Sequence, residues 1–232
     1  MTSLDRTGRT AGALYLIVVV TGFFSLVYVP GHLNLAGDAQ EVARNITADD
    51  SLYRLGILSW LVNQVAFVLL PLAFYRLFGA VHRDAAVAMV ALVLVSVPIS
   101  LVAAVDRLDA LSAIASEPQL RAIAPQFRQA LMLESLSAYR NAILIAQLFW
   151  GLWLLPLGYL VVKSGMVPKV LGVLLMLGCV GYLVEVAGDL LFMGYRATPL
   201  RWLVTLPGAV GEIGLCIWLL VRGARHASAL PA

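Results

Sequence analysis

Residues 85–105 read AAVAMVALVLVSVPISLVAAV, an unbroken stretch without a single charged side chain. A hydrocarbon core of about 30 Å is crossed by roughly 20 apolar residues in a helix that rises 1.5 Å per residue. Nothing in this stretch alternates with period two, and it is too long for a buried strand. It reads as a transmembrane helix. Five further runs of similar character lie on either side of it. With residue 106 added, this stretch is the third of six predicted spans: 10–30, 52–78, 85–106, 136–162, 168–193 and 200–222. The expected fold class is all-α: a polytopic transmembrane helix bundle of about six spans, forming a single domain over 1–232.

Composition supports this reading. The chain is 61% hydrophobic and 12% charged, against about 45–50% and about 25% for soluble domains. A soluble domain of this size would lack the polar surface to cover itself, so lipid is the expected solvent and the bilayer the expected partner. The net charge of +3 comes from 16 Lys and Arg residues scattered over loops and helix ends. Without a basic stripe they predict no nucleic-acid partner and read as topology signals. Cys179 and Cys216 lie inside apolar runs, so neither a structural disulfide nor a metal site is expected. Arg6 to Arg9 precede an apolar stretch of full spanning length without a clear small-residue cleavage site, which predicts a first span rather than a signal peptide.

The connections carry punctuation. Asp50 or Ser51 is placed to cap the second run. Pro168 and Pro199 fall where a first helical turn accepts proline. Pro30-Gly31 is expected to end the first helix, and Ser164-Gly165 to turn between the fourth and fifth. Residues 31–51 form an acidic loop with Asp38, Glu41, Asp49 and Asp50 against Arg44, and room for a short helix. Residues 107–135 place Leu120, Ile123, Phe127 and Leu131 at helical spacing. They fit either an interfacial helix between spans three and four, broken at Pro125, or a solvated extension of the third helix.

Lys and Arg divide equally between the two sides, eight with the termini and eight opposite: Arg6, Arg9, Arg76, Arg83, Lys163, Lys169, Arg222 and Arg225 against Arg44, Arg54, Arg107, Arg121, Arg128, Arg140, Arg196 and Arg201. The terminal side has shorter segments and both lysines, while the other side has most of the acids. Both termini are therefore expected in the cytoplasm.

Polar residues at membrane depth are the candidates for function, because an ionised side chain near a helix centre costs about 2.5–3.5 kcal/mol on insertion scales. Glu212 lies mid-way along the sixth run, with Thr205, Gly208, Ala209 and Cys216 at spacings that share its face. Such small neighbours let another helix approach, so this face should point into the bundle. Glu185 and Asp189 share a face of the fifth run with Tyr182 and Gly181. Arg140, Gln147, Gly151, Leu154 and Gly158 align on the fourth, with Arg140 placed to meet a carboxylate. Asn63 and Gln64, with Trp60 and Phe67, precede Pro71 on the second. The functional expectation is a polar intramembrane pocket of Glu212, Glu185, Asp189, Arg140, Gln147, Asn63 and Gln64 for a small molecule, ion or lipid, with Glu212 exchanging protons. The alternative is a structural or regulatory subunit in which the same groups only fix packing. No cofactor or catalytic set is expected. His32, His82 and His226 read as surface residues, and Asp106, Arg107 and Asp109 as a solvated helix end.

The chain also resembles a known family. Ala11-Gly12-Ala13-Leu14-Tyr15-Leu16, Ala43-Arg44-Asn45-Ile46 and Leu52-Tyr53-Arg54-Leu55-Gly56 are followed by Leu157-Gly158-Tyr159-Leu160, Lys163-Ser164-Gly165 and Pro168. Gly178, Gly181-Tyr182, Gly211-Glu212, Trp218-Leu219 and Gly223 close the series. In this order and spacing they resemble the bacterial membrane family called domain of unknown function 4386. The resemblance implies a multi-helix inner-membrane protein and no particular reaction.

Overall fold

In a computed structural model, residues 3–115, 123–195 and 198–224 are described, and among them all regular structure is helical. Leu120, Arg121, Arg196, Arg225 and His226, named above, fall outside these ranges. The elements are α1 (Ser3–Phe23), a π-helical segment (Phe24–Tyr28), α2 (Val29–His32), α3 (Ala39–Ala48), α4 (Asp50–Phe78), α5 (Arg83–Ile114), α6 (Pro125–Leu152), α7 (Leu154–Ser164), α8 (Lys169–Leu191) and α9 (Leu200–Arg222). Six stretches are long and apolar enough to cross a membrane: Leu4–His32, Asp50–Phe78, Arg83–Ile114, Pro125–Ser164, Lys169–Leu191 and Leu200–Arg222.

The number of spans agrees with the sequence; several boundaries do not. Pro30 does not end the first helix. It occupies the first turn of α2, just past the π segment, where a missing N–H costs least, and Gly31 stays helical to His32. The third span continues past Asp106 to Ile114, where Arg128 donates to the carbonyls of Ala113, Ile114 and Ala115 at 2.9, 2.7 and 2.6 Å. These bonds satisfy a helix end that would otherwise leave orphan acceptors. Pro125 starts α6 instead of breaking a helix, so residues 125–135 run continuously into the fourth span. That span is interrupted at Trp153, four residues after Phe149 and just before Leu154. The cause is Pro156, which has no N–H to give to the Leu152 carbonyl. The cap of α4 is Asp49 rather than Asp50 or Ser51: its side chain accepts from the Leu52 N–H at 3.0 Å. Asp50 instead pairs with Arg54 at 2.7 Å.

The chain divides into two compact units. The first comprises residues 1–17, 66–97 and 145–232, and the second 18–65 and 98–144. In the first, an aromatic cluster forms the core: Trp153 packs edge-on to Phe67 at 5.4 Å and lies 6.2 Å from Tyr15, while Tyr15 meets Phe74 at 5.9 Å. In the same unit, α7 packs on α8 and α8 on α9. There Gly178 and Gly208 bring two backbones together: a Cβ on Gly178 would stand 2.5 Å from the Cα of Gly208. Lipid tails supply no hydrophobic force between helices, so such close van der Waals contact is what holds them. Cys179 and Cys216 are both buried free thiols.

In the second unit, Val42 and Ile46 of α3 pack with Val29, Leu33, Tyr53, Ala110, Met132 and Leu136. The acidic loop thus contains the short helix its composition allowed. Asp38 caps it by accepting from the Glu41 N–H at 2.8 Å, and Glu41 in turn accepts from Asn34.

Candidate functional site

Glu212 occupies the middle of α9, half-buried, between the fully buried Gly211 and Leu215. Its face points inward as expected at Gly208 and Cys216, but Ala209 is exposed and does not share it. The carboxylate accepts a hydrogen bond from the Tyr15 hydroxyl at 3.0 Å, and Tyr15 is itself 1% exposed within the aromatic cluster. No described cation forms an ion pair with Glu212. The Cys216 thiol, one turn along, donates weakly to the Gly12 carbonyl at 3.6 Å. The first and last spans are therefore joined by polar contacts between residues 197 and 204 positions apart in sequence.

Glu185 is buried on α8, and its partner is Arg201 at the start of α9, at 2.7 Å. The Glu185 side chain is 9% exposed and the Arg201 side chain 38%, so the pair joins the protein interior to its surface. Asp189 lies one turn further along α8, half-buried. Gln147 is half-buried on α6. Gly151 and Gly158 give the fourth span its close contacts: a Cβ on the first would meet that of Tyr182, and one on the second the Gly172 carbonyl, each at 2.5 Å.

The remaining candidates belong to the second unit. Asn63 and Gln64 are both buried in α4. The Asn63 amide donates to the Val18 carbonyl at 2.7 Å and to the Thr21 hydroxyl at 3.1 Å, and Gln64 donates to Asn63 at 3.1 Å. Trp60 donates to the Ser100 carbonyl at 2.9 Å. Arg140 is exposed on α6. The polar residues of α4 thus tie neighbouring helices to one another through backbone carbonyls.

One buried charge was misjudged from sequence. Arg107 does not lie at a solvated helix end; it is 1% exposed. Its Nη1 donates to the Ser25 hydroxyl at 2.8 Å. The guanidinium carbon lies 5.0 Å from the centre of the Tyr53 ring and 5.5 Å from that of Tyr139. The Tyr53 hydroxyl donates to the Arg107 carbonyl at 3.1 Å. Nη2 is buried without a hydrogen-bond acceptor among the described residues. An unpaired N–H of this kind costs about 1–3 kcal/mol, and more on a charged group. The signal was present in the sequence: Ala103, Ala104, Arg107, Ala110 and Leu111 share one helical stripe, and all are buried. Asp106 and Asp109 point elsewhere, the first half-buried and the second exposed.

Helices of this length and apolarity, with ionisable residues buried between them, define an integral membrane protein of the polytopic helical class. The chain belongs to the family described as a domain of unknown function, DUF4386, whose model matches residues 10–223. It is also 31% identical over 91 residues to an uncharacterized protein of Archaeoglobus fulgidus, across 39% of this chain and 52% of that one. The matched stretch is thus about half the length of that relative. No solved structure matches the chain.

Proposed function

We propose that this protein binds or transports a small molecule, ion or lipid through polar side chains at membrane depth, with Glu212 as the exchanging group. The observation that carries this reading is the Glu212 carboxylate. It lies in the middle of an apolar span, accepts from the Tyr15 hydroxyl, and has no cation to neutralise it among the described residues. Intramembrane carboxylates are costly, and where they occur they commonly mark ion or proton pathways. Glu185, Asp189 and Gln147 belong to the same unit and are taken as contributors, whereas Asn63, Gln64 and Arg140 lie in the other unit. We place the protein in the bacterial cytoplasmic membrane with both termini inside, on the strength of the short segments and the two lysines on that side.

The test uses the full chain in proteoliposomes loaded with a pH-sensitive dye, with imposed gradients of sodium, potassium or a primary amine. At least one gradient should move protons with the native protein, and Glu212→Gln should abolish that movement while retaining the helical circular dichroism. Identical traces for both proteins with every probe, across a range of pH, would refute the reading. The structural-subunit alternative draws support from Glu185, whose buried charge is matched locally by Arg201. Under that reading Glu212→Gln changes stability or partner retention and no flux.

A further inference from the structure

A buried cation ordinarily has a counter-ion, because an unmatched charge in a low-dielectric interior is expensive. Arg107 has none among the described residues. Nη1 is used by Ser25 and Nη2 by no described acceptor, while the rings of Tyr53 and Tyr139 offer quadrupole attraction without net charge.

A second, independent feature falls at the same place. Ser25 is the buried residue of the π-helical segment Phe24–Tyr28, and single-turn π segments inside α-helices occur frequently at functional sites. A third is the side chain missing from Gly56. A Cβ there would stand 2.8 Å from Nη2 and 3.0 Å from a Val29 methyl, so only glycine lets the guanidinium lie this close to the α4 backbone. Depth supplies the last argument. The exposed apolar residues of α5, Leu101, Val102, Val105 and Leu108, extend to the level of Arg107, and the exposed Asp109 follows immediately. Arg107 therefore sits at the end of a lipid-facing stretch, where headgroup phosphates lie and where a long basic side chain finds its preferred partners.

We propose that Arg107, with Ser25, Tyr53 and Tyr139, forms a binding site for a singly charged phosphate group, carried by a membrane lipid or by a free phosphate ester. One negative charge balances the one guanidinium. The phosphate oxygen accepts from Nη2, which has no acceptor among the described residues, and enters from the side of the half-buried Tyr139 ring. Guanidinium recognises phosphate oxygens by short charge-assisted bonds, which lysine reproduces only as a point charge. The site is independent of Glu212.

The experiment has two arms, both on the full chain in detergent. First, the purified and washed protein is extracted, and phosphorus is measured in the organic and aqueous phases. Native protein should retain one phosphorus per chain, in the organic phase if the source is lipid and in the aqueous phase if it is a free ester. Second, stripped protein is titrated with short-chain phosphatidylglycerol or with glycerol phosphate at mildly acidic pH. Arg107→Gln should weaken whichever probe binds by about tenfold or more, and Arg107→Lys by less. Gly56→Ala, which keeps the cation but displaces Nη2, should weaken it as well. Failure of stripped native protein to bind either probe overturns the proposal without recourse to any variant. So does equal binding by native protein, Arg107→Gln and Gly56→Ala when all three elute as folded species.

Discussion

Replacing Gly178 with alanine tests the claim that backbone contact holds α8 to α9. The new methyl carbon would lie 2.5 Å from the Gly208 Cα, 3.1 Å from the Gly208 nitrogen and 3.2 Å from a Leu154 methyl. Non-bonded carbons settle at about 3.5–4.0 Å, so the two helices must part locally by roughly 1 Å. Backbone atoms cannot swing aside as a side-chain end would. A gap of that size forfeits about a quarter to a half of each contact's attraction along the seam, and overpacking of this kind costs typically about 1–3 kcal/mol. Alanine's better helix propensity returns at most about 1 kcal/mol. The expected net loss is therefore about 1 kcal/mol, the middle of the overpacking range less the propensity gain. Gly208→Ala should cost less, because its methyl would meet the Gly178 Cα at 3.0 Å and nothing else nearer than 3.9 Å. Reversible unfolding by dodecyl sulfate in mixed micelles, followed by circular dichroism and tryptophan fluorescence, measures both variants. A Gly178→Ala protein within about 0.5 kcal/mol of the native one, or a costlier Gly208→Ala, would refute the reasoning.

Three further outcomes are expected. A double-mutant cycle of Tyr15→Phe and Glu212→Gln should give a coupling near 0.6 kcal/mol and below about 1.7 kcal/mol, the range found for interhelical bonds in membranes; zero coupling would dissolve the pair. Arg201→Gln should destabilise by about 1–3 kcal/mol, because it strands the Glu185 charge, and adding Glu185→Gln should restore part of the loss. Equal stability of the single and double variants in the same unfolding assay would contradict this. Asp38→Ala should cost about 1 kcal/mol locally and speed amide hydrogen exchange at Glu41, whose N–H loses its acceptor.

The spans were legible because bilayer thickness imposes a length that few other constraints imitate. Their ends were not, because each end is fixed by a group remote in sequence. Arg128 closes the last turn of α5 from the next helix, and no local pattern around Ile114 announces it. The π segment at Phe24–Tyr28 has no compositional mark, so Pro30 read as a terminator. Among site residues, Glu212 stood out as an acid within an apolar run, yet its partner Tyr15 was one tyrosine among eight. Arg107 was misread because its sequence neighbours Asp106 and Asp109 suggested water. Successive residues turn by about 100° around a helix, and only the arginine faces the core.

The spans also differ in length. Lys169–Leu191 and Leu200–Arg222 have 23 residues each, about 35 Å, whereas Pro125–Ser164 has 40, about 60 Å. The long span overhangs any natural bilayer and is indifferent to its thickness. The two short ones have almost no slack, so a thicker membrane must thin around them or straighten them. They are also the pair that Gly178 and Gly208 hold in register, so hydrophobic mismatch would be felt first at that seam. Lipid chain length then becomes a variable acting on this one contact ahead of the rest of the protein.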